Sequence, residues 1–287
     1  MNYKKQLSRK KRDKIFELLL KDKASLISVI FLLALILVSV AAPFLPLDGS
    51  KTDILHMLES PSSVHWFGTD EVGRDYFART INGGRISLTV GILAMLMSTV
   101  IGITVGMLAG FSGGIVDGVL MRIVDVIQSI PWLVLVTVIS IFFKKGLLSI
   151  IVVIGFFSWM EIARLVRAEV LSLREREYIQ YASFAGVKSF IIIVKHLIPA
   201  VMPTIIVSAS SGIADAIMTE SALSFLGIGI QEPLSSWGKL LQTAQSNLQN
   251  ALYMAMIPGV LIILTIFAFN KIGNVLRVYW EPRVSEV

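Results

Sequence analysis

The chain has 287 residues, of which 55% are apolar and 16% charged. A soluble domain carries roughly a quarter of its residues charged, so an ordinary soluble fold is excluded and an all-α membrane protein is expected. The formal charge of +6 does not point to nucleic acid, because nine of the 26 Lys and Arg lie in residues 1–23, just ahead of an apolar run, where anionic lipid headgroups explain them.

Runs without Asp, Glu, Lys, Arg or His extend over 24–47, 86–116, 126–143, 146–160, 197–214 and 240–270. About 20 apolar residues cross the ~30 Å hydrocarbon core as a helix. Six spans are expected, with those from Gly146 and Leu197 continuing past a single charge. The first run is unbroken over 24–47, longer than the ~7–15 residues of a cleaved signal core, and reads as a retained span. With no Cys, neither disulfides nor thiolate metal sites enter the reading.

Orientation follows from the basic residues. Lys and Arg number nine in 1–23, six in 161–199 and three in 271–287, against four in 48–85, two at 144–145 and one in 221–250. The asymmetry predicts both termini on the cytoplasmic side. The chain then divides into a basic N-terminus 1–23, a first transmembrane helix 24–47, an extracytoplasmic segment 48–84, a five-helix core 85–280 with a cytoplasmic loop 161–199, and a tail 281–287.

In the outer segment, Pro46, Gly49 and the turn at Pro61, Ser62 and Ser63 give way to a helical pattern. Asp75 and Arg79 are four apart with the acid first, Phe77 and Ile81 repeat at the same interval, and Gly83 and Gly84 read as a stop. This predicts a short amphipathic helix at the outer interface, with Arg85 snorkelling where the second span begins. Asp70, Glu71 and Asp75 fail the calcium-loop pattern, since Val72 and Arg74 stand where oxygen ligands are needed, and read as surface acids.

The second span carries Gly102, Gly106 and Gly110 at intervals of four, a bare face for close helix packing, with a sliding or gating surface as the sharper alternative. In the third, Arg122 and Asp125 are spaced to pair, with Asp117 nearby, and Pro131 is expected to kink the span. The polar stretch that follows sets Tyr178, Tyr181, Ala182 and Ala185 on one face of a short helix over 177–185, with Gly186 as a left-handed stop. A second helix leads from Phe190 through Val194 and Leu197 to Pro199. Helix, glycine joint and second helix form a compact lever.

The fifth span, from about Ala200, contains Asp215 and Glu220, candidates for a translocation pathway. Residues 224–229 and 233–238 read as an outer re-entrant or capping segment. His56, His65 and His196 are scattered, and Gly238 and Lys239 are followed by Leu240 without the upstream glycine of a phosphate-binding loop. The chain reads as non-catalytic, so any fuel is burned by a partner or supplied by an ion gradient.

The inner loop, with Gln180, Tyr181 and Ala182, then Gly186, then His196, Leu197, Ile198 and Pro199, resembles the Glu-Ala-Ala-x-x-x-Gly motif and following Ile-x-Leu-Pro of permease subunits of binding-protein-dependent ABC importers, with Gln180 in place of the motif's Glu. The outer residues Gly68, Thr69, Asp70, Gly73, Arg74, Asp75, Arg79, Gly84 and Arg85 are similar to the signature of the dipeptide/oligopeptide/nickel family, C-type subunit, as are 223–229 and 236–238. The resemblance implies a type I ABC importer permease that pairs with a homologous permease, sits on two ATPase subunits holding ATP and Mg, receives cargo from an extracytoplasmic substrate-binding protein, and binds no cofactor itself. It implies ATPase-coupling roles for Gln180, Tyr181, Ala182 and Gly186, with Glu177 and Pro199 beside them. Di- or oligopeptides are the implied cargo, with nickel or a metal chelate as the alternative. An ion-coupled secondary transporter using Asp125, Asp215 and Glu220 remains the rival class.

Overall fold

The computed structural model describes residues 22–142 and 146–280. The basic stretch 1–21, Lys144 and Lys145, and the tail 281–287 lie outside the described residues. Helix α1, Lys23–Ala41, starts at Asp22, whose carboxylate accepts from the Ala24 amide at 3.0 Å and the Ser25 hydroxyl at 2.6 Å. Lys271 reaches the same carboxylate at 3.0 Å and ties this end to the last span. After the outer segment come α2, Tyr76–Ser112, α3, Gly114–Gln128, α4, Trp132–Phe142, and α5, Leu147–Arg174.

The short α6 covers Glu177–Phe184. Helix α7, Ser189–Ile192, passes through a π turn at Ile193–Leu197 into α8, Ile198–Phe225, so that Ser189–Phe225 is one spanning element. Helix α9 is Trp237–Ala244 and α10 is Tyr253–Trp280. Among the described residues five helices are long and apolar enough to cross a membrane, or six if α3 and α4, bent by 85° at their break, count as one span. Pro131 lies in that break, where it cannot donate to a helix ladder.

The glycine stripe of α2 is a packing surface. A Cβ at Gly102 would lie 2.6 Å from the Ile162 Cβ, at Gly106 2.6 Å from the Ala163 carbonyl, and at Gly110 2.9 Å from the Arg167 carbonyl. Each step of four on α2 meets a step of four on α5, so the two backbones run in direct contact. Gly155 of α5 returns the contact, 2.9 Å from the Ala94 carbonyl of α2 by the same measure. In lipid, where apolar surface supplies no net drive for association, such close approach is what holds helices together.

Five expectations are corrected. Gly83 and Gly84 do not stop a helix: α2 runs through them unbroken, and the groove they leave is filled by Trp237, whose ring would lie 2.8 Å from a Cβ at Gly84. Arg85 is exposed on that continuous helix rather than at the start of a separate span. Asp125 pairs with Arg164 at 2.5 Å and Asp117 with Arg167, both on α5, so charges of the third span are met across helices and not by Arg122. Helix α5 continues past Glu161 to Arg174, which narrows the polar loop to its far end. The charge-free run 240–270 is divided between α9 and α10.

Candidate functional site

The lever is built as the sequence reading expects, with a different face inward. Ile179 is the buried residue of α6, packed in one cluster with Val166 and Val170 of α5 and with Ile192 and Leu197 of the α7 and π segment. Tyr181 is 78% exposed, Phe184 89% and Phe190 74%. Gly186 closes the helix at φ +76°, its amide donating to the Ser183 carbonyl at 3.1 Å while the Val187 amide donates to the Ala182 carbonyl at 3.1 Å. This pair of bonds is the Schellman stop. Gln180 donates to the Glu175 carbonyl at 3.3 Å, closing the turn after α5, and Glu177 occupies the first turn, where a negative charge is favoured. Pro199 is the second residue of α8, at its junction with the π turn, and supplies no amide hydrogen to the ladder there.

The outer motif forms a clasp. Asp70, 1% exposed, accepts from the Val72 and Arg74 amides at 3.0 and 2.9 Å, from the Arg74 side chain at 2.6 Å and from Arg79 at 3.2 Å. The expectation of a surface acid there is therefore corrected. Both arginines also reach Glu232, at 3.2 and 2.8 Å, binding the outer segment to the loop after α8. Thr69 donates to the His56 carbonyl at 2.5 Å and accepts from the Glu59 amide at 2.9 Å. Gly73 admits no side chain, because a Cβ would meet the Asp53 carbonyl. Gly68 lies against Tyr253, whose hydroxyl is 2.6 Å from the Thr69 carbonyl. Asp75 caps α2 through the Ala78 amide at 2.8 Å and holds His65 at 2.8 Å.

Replacing Asp70 with Asn is expected to destabilise this clasp by about 2 kcal/mol, the scale of a charged hydrogen bond. Limited proteolysis of residues 48–75 reads it directly; an unchanged cleavage rate would refute the clasp. Burial pulls the Glu232 carboxyl upward, but the bond from Arg79 and the charges of Arg79, Arg74 and Lys239 outweigh it and hold the group below its ordinary value. A lowered value means the pairing stabilises the fold at neutral pH and that this contribution fades as pH falls through it. The protection of amides 227–236, relative to their intrinsic exchange rates at each pH, is expected to stay constant from neutral to mildly acidic pH and to fall only below the ordinary glutamate range.

Glu220 is fully buried and is not among the side chains that line the cavity at Asp215. It accepts from Ser87 at 3.0 Å and Ser224 at 2.6 Å; those hydroxyls in turn accept from the Trp237 and Ile230 amides at 3.2 and 3.0 Å. Asp215 and Glu220, the two pathway candidates of this span, are five residues of helix apart and so point to different sides. Asp215 instead faces a cavity of about 610 Å³ bordered by α2, the α3–α4 break, α5 and α8. Sequence reasoning missed Glu161 and Arg164, which line the same cavity, and Glu232.

A bundle of five or six spans that holds an exposed aromatic lever between two of them, with an open, charge-lined cavity between α2, α5 and α8, is a multi-pass membrane transport component. Residues 102–286 match the family model described as the binding-protein-dependent transport system inner membrane component, and the chain belongs to that family. It is 39% identical over 265 residues to the oligopeptide transport system permease protein OppC of Escherichia coli (strain K12), spanning 91% of this chain and 88% of that one. It is 38% identical over 266 residues to the dipeptide transport system permease protein DppC of Bacillus subtilis (strain 168), spanning 92% and 83%. The fold matches a chain of the inward-facing MetNI methionine ABC transporter with a TM-score of 0.60, covering 71% of this chain and 97% of that one at 20% identity.

Proposed function

We propose that this chain is the C-type permease subunit of an ATP-driven importer of di- and oligopeptides. The observation that carries the reading is α6: a short helix with Tyr181 and Phe184 outermost, stopped sharply at Gly186 and rooted through Ile179 in both flanking spans. Large aromatics held out on a polar loop fit a partner's cleft, because a docked aromatic carries much of an interface's energy. The peptide cargo is supported by the relatives, which carry oligopeptide and dipeptide permease names over more than nine-tenths of this chain.

In this reading a homologous permease completes the pathway and two ATPase subunits hold ATP and Mg. An extracytoplasmic binding protein delivers cargo, and this chain binds no cofactor of its own. Both termini and α6 lie on the cytoplasmic side. ATP binding closes the ATPases, α6 follows as a rigid body, and the shared cluster of Ile179, Val170, Ile192 and Leu197 passes the displacement to α5 and α8 together. Nucleotide thereby biases a two-state equilibrium between access from outside and access from inside. Uptake of a labelled tripeptide by proteoliposomes holding the whole complex tests this. Transport is expected with internal ATP and not with a non-hydrolysable analogue; uptake driven by an ion gradient without ATP would overturn the reading.

A further inference from the structure

The cavity beside Asp215 has a definite charge. Its volume of about 610 Å³ falls within the roughly 300–1,000 Å³ of small-molecule sites. One wall is a stripe of small and polar residues: Ser208, Gly212, Asp215 and Thr219 recur every three or four residues of α8 and all line the space. The charged side chains among the lining residues are Asp215, Glu161 and Arg164. Arg164 is already engaged by Asp125 at 2.5 Å. Asp215 and Glu161 have neither a hydrogen bond nor an ion pair among the described residues.

Asp215 and Glu161 are both exposed on the open side of this cavity, and carboxylates exposed within membrane-spanning segments need water, cargo or a partner to meet them. The cavity around them carries a negative excess, since two free carboxylates face one neutralised guanidinium. We propose that Asp215, with Glu161 on the facing wall, forms a cation-selective station in the translocation pathway that takes an ammonium group of the passing cargo. For a peptide the ammonium is the free amino terminus or a lysine side chain; the chemistry is shared. Thr219, about one turn from Asp215 along α8, and Ser208, about two turns away on the other side, supply hydroxyls for the amide groups that accompany it. The inference rests on the peptide-importer reading and adds to it a residue that discriminates cargo inside the membrane.

The test uses the complete complex in proteoliposomes with ATP and four cargoes: Ala-Lys-Ala and Ala-Gln-Ala, each with a free or an acetylated amino terminus. Each rate for a variant is divided by the wild-type rate for the same peptide, so that selection by the binding protein cancels. Asp215→Asn is expected to slow the cationic cargoes roughly tenfold, the scale of one lost charged hydrogen bond, and to leave acetyl-Ala-Gln-Ala within about twofold. Asp215→Glu is expected to restore most of the rate. Loss on free-amine Ala-Gln-Ala assigns the station to the amino terminus, and loss on acetyl-Ala-Lys-Ala to the side chain; either supports it. Equal losses on all four peptides would mark Asp215 as a structural or subunit contact and overturn the proposal. Should Asp215→Asn fail to assemble, Glu161→Gln is read in its place, with a smaller loss in the same order expected and a uniform loss decisive against. Absence of any ATP-dependent peptide uptake by the wild type would instead sink the function itself, and the station with it.

Discussion

Gly106→Leu is expected to abolish recovery of folded, monodisperse protein. A Cβ at this position would lie 2.6 Å from the Ala163 carbonyl and 2.8 Å from the Val166 Cβ. The obstructing atoms are backbone and a β-branched stem, neither of which can swing aside, so α2 and α5 must separate. Overpacking of that kind costs about 3 kcal/mol or more, and the separation also opens the neighbouring contacts at Gly102 and Gly110. Gly118→Leu is the matched control, because a Cβ on that α3 residue meets nothing within 4 Å. Size-exclusion profiles and thermal midpoints of the isolated chain decide the matter. A Gly106→Leu midpoint within about 2 °C of wild type, a shift that in a chain of this size corresponds to less than about 1 kcal/mol, would show that the glycine stripe is not the seam of the bundle.

The stripe was legible in the sequence, and its partner was not. Spacing of four identifies a bare helical face, but nothing local says which helix covers it; α5 could be found only by folding the chain. The same limit explains the charges. Asp70 sits among acids and reads as surface when judged by its neighbours, yet Arg74 and Arg79 enclose it and share their guanidinium groups with the distant Glu232. Asp125 has Arg122 at pairing distance along its own helix, and the observed partner Arg164 lies 39 residues away. Gly83 and Gly84 carry a strong local stop signal that Trp237 overrides by filling the groove they leave. The last span shows a different error: residues 242–250 hold Gln242, Gln245, Ser246, Asn247, Gln249 and Asn250, which are uncharged but far from apolar. A run free of charge is a poorer guide to hydrocarbon than mean hydropathy. The lever, by contrast, was readable almost to the residue, because its start, its stop and its faces are set by local chemistry between Glu177 and Gly186.

That local chemistry makes Gly186 the second site of large effect. Gly186→Val is expected to reduce cargo-stimulated ATP hydrolysis to the unstimulated rate and to stop peptide uptake, while the complex still assembles. The reasoning is conformational and not steric: a Cβ here meets nothing within 4 Å, but the φ of +76° is one that a β-branched residue resists. Relief of that strain, about 1–2 kcal/mol, comes from unwinding the two closing bonds to Ser183 and Ala182, which lengthens the joint and frees α6 from the segment that begins α8. A loosened joint absorbs displacement instead of transmitting it, so binding of nucleotide no longer biases the spans. Gly186→Asn separates this account from mere loss of a small residue, since Asn adopts the left-handed conformation more readily than other residues with a side chain. Asn is expected to retain most of the stimulation that Val loses. Equal uncoupling by both variants would place the effect in the lost glycine surface, and full activity of the Val variant would mean that force does not pass through this bend.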